Sequence, residues 1–308
     1  MTSDQKAILS FGQDIVAGAV SGVVSKSATA PVERIKLLLQ TQSINTTIKA
    51  SQRYSGPIDC VIRVYREQGV LSFWRGNIAN CLRYIPNAAI TFAFNDRYRE
   101  IIVGSSNSRI NAHRFLLGNF ISGGLAGGTA LLVTYPLDMA RTRLATDNSV
   151  NKLHTKYNGT FDCIYKVYQE NGVVKGVYSG LKTAFIGAII FKSLFLGGYE
   201  IIKVISVDKK FDDSAINRLL IAQIVTSLSG TICYPLDTIK RRMMMSKHID
   251  PTTGLPFYQN GYQCLKYILK YEGLSKGLFA GLSVNLVRGM SGPFLLVGYD
   301  YLKFWLKV

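Results

Sequence analysis

Long, mostly apolar stretches and short amphipathic stretches follow one another in the same order three times along the chain. This pattern predicts a long helix, a short amphipathic helix and a second long helix in each third of the chain. The first long helices are expected at 11–41, 113–146 and 214–246, the short helices at 57–67, 160–169 and 261–271, and the second long helices at 77–103, 181–206 and 281–305. Each long stretch has the roughly 20 residues that a helix needs to cross a bilayer. The pattern therefore predicts an all-α membrane protein with six transmembrane helices and three short ones.

Polar motifs recur in register with these helices. "PVERIK" begins at Pro31, "PLDMAR" at Pro136 and "PLDTIK" at Pro235. A tyrosine-to-cysteine segment follows each motif ("YSGPIDC", "YNGTFDC" and "YQNGYQC"), and a segment with an acid and a base closes each unit ("FNDRYR", "YEIIK" and "YDYLK"). Because three elements recur in the same order, we predict a single transmembrane domain with pseudo-threefold symmetry. It covers 1–308, with repeats at 8–105, 111–207 and 212–308.

Composition limits the classes of function. The chain has 36 Lys and Arg against 19 Asp and Glu, and its net charge of +17 favours an anionic partner. Hydrophobic residues make up 48%, which is high for a nucleic-acid binder, so we expect no nucleic-acid partner. The N-terminal sequence "MTSDQKAILSFGQDIVAG" resembles neither a secretory signal nor a transit peptide. The five cysteines form no C-x-x-C pair and are expected to be free thiols in a reducing compartment.

An acid and a base lie three residues apart just after each motif proline. The pairs are Glu33 with Lys36, Asp138 with Arg141, and Asp237 with Lys240. Within one helix, such a pair on a solvated face contributes only about 0.2–0.5 kcal/mol. Recurrence at the same end of three related helices favours pairing between repeats instead. The expected bridges, which would close one end of a central pore, are Glu33–Arg141, Asp138–Lys240 and Asp237–Lys36.

The closing segments offer a second ring at the opposite end of the bundle. Its expected bridges are Asp96–Lys203, Glu200–Lys303 and Asp300–Arg99. Two breakable rings on either side of a cavity are the parts that an alternating-access transporter needs.

Four basic residues lie in otherwise apolar helical stretches, away from both rings: Lys26, Arg83, Lys192 and Arg288. A charge at bilayer depth costs about 2.5–3.5 kcal/mol on insertion scales, so these residues are candidates for function. Arg83 and Arg288 occupy comparable positions in the first and third repeats, which favours a shared inward-facing role. For Lys192, extension of the side chain toward the membrane surface is the alternative. Several cations in one cavity predict a multiply charged anion, and arginine is suited to phosphate.

The threefold P-x-[DE]-x-x-[KR] pattern resembles that of the mitochondrial carrier family along essentially the whole chain. Within that family, "APVERIKLLLQTQ", "FWRGNIANCLRYIPNAAITFAFND" and "KRRMMM" are similar to segments of the ADP/ATP carriers, the last of them to an Arg-Arg-Arg-Met-Met-Met signature. The signature residues are Lys240, Arg241, Arg242, Met243, Met244 and Met245. The resemblance implies the mitochondrial carrier fold in the inner membrane, or in the membrane of a mitochondrion-related organelle, with the three short helices on the matrix side.

The resemblance also implies exchange of ADP for ATP through one central site, without a cofactor or a metal. It implies contact with the lipid bilayer, including cardiolipin at the matrix side. Because one bundle encloses one site, a monomer would suffice, and the oligomeric state stays open. The main phosphate contacts would be Lys26, Arg83 and Arg288, with Arg241 assisting and Lys240 of the ring also in the substrate site. Gly187 and Ala188 would contact the adenine, with Phe191 beside them. Gln40 would brace the matrix-side ring, and the signature arginines would lie at the ring and in the cavity.

The chain departs from the family pattern at several positions: Thr91, Asn95, Ala188, Phe191, Lys192, Cys233 and Lys240. These departures bear on nucleobase selectivity and on electrogenic preference. A carrier of the same fold for another nucleotide, or for a bulky phosphorylated cofactor, is therefore the alternative to ADP/ATP exchange.

Two other classes of function are disfavoured. For a nucleotide-hydrolysing enzyme, the chain lacks both a G-x-x-x-x-G-K-[ST] and a G-x-G-x-x-G motif. His113, His154 and His248 are isolated in the sequence, so no metal site is predicted. For a nucleic-acid binder, the apolar helices and the cations within them are the wrong pattern.

Overall fold

The computed structural model describes residues 3–45, 48, 50–103, 112–148, 156–208, 215–246, 258 and 260–289. Within these residues the chain is helical apart from turns and short connections, and it contains no β-strand. The helices are α1 (Ser3–Thr41), α2 (Pro57–Gln68), α3 (Asn77–Val103), α4 (Ala112–Ala145), α5 (Thr160–Gly172), α6 (Leu181–Asp208), α7 (Ala215–Met245) and α8 (Gly261–Tyr271). A further helical segment covers 282–289. The all-α prediction is confirmed for this part of the chain.

The helix bounds predicted from the sequence agree with the structure to within a few residues, with one exception and one open case. α3 begins and ends at the predicted residues. α1 begins at Ser3 rather than at residue 11, because residues 3–10 include four good helix formers and neither glycine nor proline. The last predicted long helix is described only as far as residue 289, so its C-terminal part lies outside the described residues.

Three of the long helices, α1, α4 and α7, contact one another and carry the motif prolines Pro31, Pro136 and Pro235. An internal proline removes a backbone hydrogen bond and favours a kink. Each proline directly precedes an acid–base pair, so the three pairs lie at equivalent points of three helices in mutual contact. This arrangement positions the candidate site.

A short helical turn that the sequence analysis did not predict follows each short helix; it is a 3₁₀ turn in the first repeat and a π turn in the other two. The turns cover Val70–Trp74, Val173–Val177 and Leu274–Leu278. Gly76 and Gly180, just after the first two turns, both have a φ of 82°. A Cβ atom at Gly76 would lie 2.9 Å from the carbonyl oxygen of Arg141, and one at Gly180 would lie 2.9 Å from the Cβ atom of Met243. Both the left-handed backbone and the close approach require glycine, and they hold each turn against the next repeat.

Each short helix buries one face against the proline-containing long helix of its own repeat. The fully buried pairs are Cys60 with Val64 in α2, Cys163 with Val167 in α5, and Cys264 with Ile268 in α8. A spacing of four residues places both members of a pair on one face of a helix. The three apolar clusters that result each include a residue from another repeat, Val284, Met244 or Ile44. The repeats therefore share their cores rather than packing as separate units.

We expect the three short-helix cysteines to resist thiol reagents until the protein unfolds. Burial raises the pKa of the Cys60, Cys163 and Cys264 thiols to about 12. At about pH 8 this lowers the reactive thiolate fraction by roughly 1000-fold relative to an exposed cysteine. In a Cys81→Ser/Cys233→Ser background, labelling by a maleimide dye should be slow in the folded protein and fast above the unfolding midpoint. Rapid labelling of the folded protein would contradict the buried placement.

The long helices differ in how apolar they are. Of the described helices, only Gly118–Ala145 is by itself both long and apolar enough to qualify as a membrane span. The segments Thr160–Val177 and Leu181–Phe195, bent by 43° at their break, qualify only when taken together. Charged residues lower the hydropathy of α1, which carries Lys26, Glu33 and Lys36. The arrangement of six spans stays a prediction.

Candidate functional site

Three acid–base pairs join α1, α4 and α7 near their C-terminal ends. The Nζ atom of Lys36 lies 2.7 Å from Oδ2 of Asp237, and the Nζ atom of Lys240 lies 2.6 Å from Oδ2 of Asp138. The guanidinium group of Arg141 contacts the Glu33 carboxylate. Each acid thus meets the base of another repeat, as expected from the sequence, and the six side chains form a closed ring, here called the charged ring.

Additional cations surround the acids of the charged ring. Arg241 places Nη1 3.0 Å from Oδ1 of Asp138 and Nε 3.5 Å from Oδ1 of Asp237, so it bridges two pairs. Arg288 places Nη1 3.5 Å from Oε1 of Glu33. Arg83 places Nε 4.0 Å from Oδ1 of Asp138. Every acid of the ring therefore contacts at least two basic groups, and positive charge is in excess.

Gln40 and two tyrosines support the ring from its edge. The Nε2 atom of Gln40 donates to Oγ1 of Thr238 at 3.2 Å and lies 3.4 Å from Oδ2 of Asp237. Gln40 thus bonds to the acid that Lys36 binds. Lys36 lies over the ring of Tyr234 at 5.1 Å, and Lys240 lies over the ring of Tyr135 at 5.8 Å. Cation–π contacts of this kind add to the stability of the charged ring.

A central cavity of about 380 Å³ opens on the charged ring. Its wall contains seven basic and two acidic side chains: Lys26, Lys36, Arg83, Arg141, Lys240, Arg241 and Arg288, with Glu33 and Asp237. Gly187, Ala188 and Phe191 of α6 form an uncharged part of the same wall. All eight residues that the sequence analysis expects to contact substrate line this one cavity.

The signature residues do not all face the cavity. Lys240 and Arg241 do, but Arg242, which the sequence analysis expects with Arg241 at the rim of the gate and in the cavity, does not line it. Arg242 is buried on another face of α7, where Nη1 and Nη2 bond to the two carboxylate oxygens of Glu272 at 2.7 and 2.6 Å. Its Nε atom donates to the carbonyl oxygen of Gln40 at 3.2 Å. Successive helical residues turn by about 100°, so neighbours in the signature cannot share one direction.

The second predicted ring lies mostly outside the described side chains. Asp96 and Arg99 lie on exposed positions of α3. Glu200 and Lys203 belong to α6, where their side chains are not described, and Asp300 and Lys303 lie beyond residue 289. The pairing of these residues stays a prediction.

Lys192 is held against a neighbouring helix. Its Nζ atom donates to the carbonyl oxygen of Gly123 in α4 at 2.6 Å. Glycine at 123 and 127 leaves room for the ammonium group, since a Cβ atom at Gly127 would lie 3.0 Å from it. Lys192 therefore joins α6 to α4.

Sequence reasoning missed Asn80 and Asn285. Asn285 lines the central cavity, and Asn80 donates from Nδ2 to Oε2 of Glu33 at 3.3 Å. Each follows its loop glycine, Gly76 or Gly281, by four residues. Alignment of the repeats on these glycines, rather than on the prolines, would have found them.

Comparison with known proteins relates this chain to one family of membrane carriers. The family model described as "Mitochondrial carrier protein" matches residues 8–106, 112–210 and 211–308. ADP/ATP translocase 3 of Bos taurus is 42% identical over 295 residues, covering 96% of this chain and 97% of the relative. ADP/ATP translocase 2 of Rattus norvegicus is 43% identical over 297 residues, covering 96% and 98%. ADP/ATP translocase 4 of Mus musculus is 40% identical over 309 residues, covering 99% and 94%.

Proposed function

This chain belongs to the mitochondrial carrier family, and on that premise we propose that it exchanges ADP for ATP across the mitochondrial inner membrane or that of a mitochondrion-related organelle. The six long helices would span the bilayer, with the short helices and the charged ring toward the matrix and cardiolipin among the lipid contacts there. Because one chain encloses one cavity, a monomer would suffice. Names of relatives at 40–43% identity support the choice of nucleotide.

The observation that carries the proposal is the excess of positive charge in the central cavity. Seven basic side chains face two acids in its wall. Uncompensated cations away from bulk water favour a ligand with several negative charges. Guanidinium groups bind phosphate oxygens through two parallel hydrogen bonds. A nucleotide with two or three phosphates meets these requirements.

The uncharged wall of the cavity suits a purine base. Gly187 and Ala188 leave a flat surface because neither has a large side chain, and Phe191 offers an aromatic face beside them. Aromatic side chains bind nucleobases by stacking. The base would then lie toward α6, with the phosphates toward Arg83, Arg288 and Lys26.

The contacts of Arg83 and Arg288 couple substrate binding to the charged ring. Both residues line the cavity and also reach ring acids, Arg83 at 4.0 Å from Asp138 and Arg288 at 3.5 Å from Glu33. Substrate phosphates compete with these carboxylates for the same guanidinium groups. Bound substrate would therefore weaken two of the additional cation contacts of the charged ring, those of Asp138 and Glu33, and favour opening of that end.

A carrier for another nucleotide or a bulky phosphorylated cofactor is the second candidate. The observation in its favour is the plain aromatic and methyl surface at Phe191 and Ala188, which carries no hydroxyl to bond the base. Stacking alone discriminates poorly among bases.

Uptake into liposomes tests both candidates. We expect labelled ADP to enter vesicles loaded with ADP or ATP, and not empty vesicles. If ATP carries one more negative charge than ADP, a potential negative inside should favour uptake of ADP against internal ATP. The potential adds up to about 2.3 kcal/mol per 100 mV to the driving force for this exchange. Equal uptake into empty vesicles would contradict obligatory exchange. Stronger exchange with guanine nucleotides or non-nucleotide phosphates would favour the second candidate.

A further inference from the structure

The charged ring consists of three acid–base pairs, and each pair together with the residues that support it is here called a leg. In each leg, the base is followed four residues later by a residue on the same face of its helix. These residues are Gln40 after Lys36, Met244 after Lys240 and Ala145 after Arg141. Four residues return the helix to nearly the same direction, so the three occupy equivalent places beside their pairs. They differ entirely in chemistry.

Two of the three positions carry a side-chain brace. Gln40 bonds through its amide to Thr238 and Asp237, as described above. The thioether of Met244 lies 3.5 Å from Oγ1 of Thr142 and 3.8 Å from Nη1 of Arg241, the group that binds Asp138. Both side chains are fully buried. Met244 thus does for the second leg what Gln40 does for the first, and this gives one methionine of the signature a structural role.

The third leg has only a methyl group at the equivalent position. Ala145 is buried, and next to it lies a small cavity of about 10 Å³. Glu33 and Arg141, the pair of this leg, line the cavity together with Asn80 and Arg75. A volume of this size is at the lower limit for one water molecule.

Asn80 supplies an unused acceptor at this cavity. Its Nδ2 atom donates to Glu33, but its Oδ1 atom has no hydrogen-bond partner among the described residues, and the residue is only 1% exposed. A buried polar atom of this kind is usually paired, often with ordered water. A water in the cavity is able to donate to Oδ1 and to accept from a guanidinium group of Arg75 or Arg141.

We propose that the Glu33–Arg141 leg contains a binding site for a single ordered water, held by Oδ1 of Asn80, in place of a side-chain brace. The site is built from polar groups of the first two repeats, and it gives Oδ1 of Asn80 a partner beside the Glu33–Arg141 pair.

An experimental structure that resolves ordered solvent tests the site directly. We expect one water at about 2.7–3.2 Å from Oδ1 of Asn80, within reach of a guanidinium group. The same density should be lost in Asn80→Leu, which has a similar shape and no acceptor. A cavity without solvent density, or a water that persists in Asn80→Leu, would overturn the proposal.

A pair of serine substitutions tests it through stability. Ala145→Ser puts a hydroxyl at the polar cavity, where it is able to replace the water. Ala140→Ser puts the same group into the apolar cluster of Tyr135 and Met139, on the same helix and equally buried. By the cysteine-labelling melt described above, Ala145→Ser should keep or raise the unfolding midpoint, and Ala140→Ser should lower it by several degrees. Equal loss in both variants would show that the cavity does not accept a polar group.

Neither measurement depends on transport. A protein that carries the water but does not exchange ADP for ATP would refute the proposed function alone. A protein that exchanges both nucleotides but fails these two tests would refute the water site alone.

Discussion

Replacing Arg83 or Arg288 with alanine should lower the rate of ADP/ATP exchange by about 100-fold. Both side chains line the central cavity, and neither belongs to the three primary pairs of the charged ring. A charged hydrogen bond contributes about 1.5–3 kcal/mol, so two bonds to phosphate account for two or more factors of ten. Initial rates of ADP uptake into ATP-loaded liposomes measure the effect.

Two further variants separate loss of binding from general damage. Arg83→Lys keeps the charge without the planar fork, so it should fall between the wild type and Arg83→Ala. Arg97→Ala removes an exposed arginine from the same helix, one that pairs only with its neighbour Glu100 at 3.0 Å among the contacts described. This variant should exchange at the wild-type rate. Exchange by Arg83→Ala within a few-fold of the wild type would refute a phosphate role for this residue.

The sequence predicts the helices and the ring well because both depend on spacing that recurs. A proline followed by an acid and then a base three residues later fixes which face of the helix bears the charges. Recurrence at about hundred-residue intervals then implies that the three faces meet at one axis. The partners Lys36 and Asp237, 201 residues apart, could be matched for this reason alone.

Features that depend on packing between repeats could not be predicted in this way. Arg242 follows two cavity residues, Lys240 and Arg241, yet it pairs with Glu272. The positions that correspond to Glu272 after the first two short helices are Gln68 and Asn171, so no recurring acid marks this partner in the sequence. The methionines likewise look alike in the sequence. In the structure Met244 packs in the core of the second repeat and Met243 in that of the third. Only the positions of the surrounding helices distinguish them.

The asparagine substitution Asp138→Asn should destabilise the protein more than any other neutralisation of a ring acid. Asp138 has a side chain only 3% exposed and contacts Lys240 at 2.6 Å, Arg241 at 3.0 Å and Arg83 at 4.0 Å. Removing the carboxylate leaves these cations close together without an anion. Breaking a buried ion pair from one side costs about 3–5 kcal/mol. In the cysteine-labelling melt, the midpoint should fall by on the order of 10 °C.

Asp237→Asn is the matched comparison, because Asp237 belongs to the same ring but its side chain is 29% exposed. Water is able to solvate the cations that lose the Asp237 carboxylate. The unfolding midpoint of Asp237→Asn should therefore fall by less than half as much as that of Asp138→Asn. If repulsion among cations causes the loss at Asp138, the double variant Asp138→Asn/Lys240→Met should be more stable than Asp138→Asn. It should still fail to exchange nucleotides, since one leg of the ring is gone. Equal midpoints for Asp138→Asn and Asp237→Asn, or no recovery in the double variant, would mean that the excess of positive charge around Asp138 does not govern the stability of the ring.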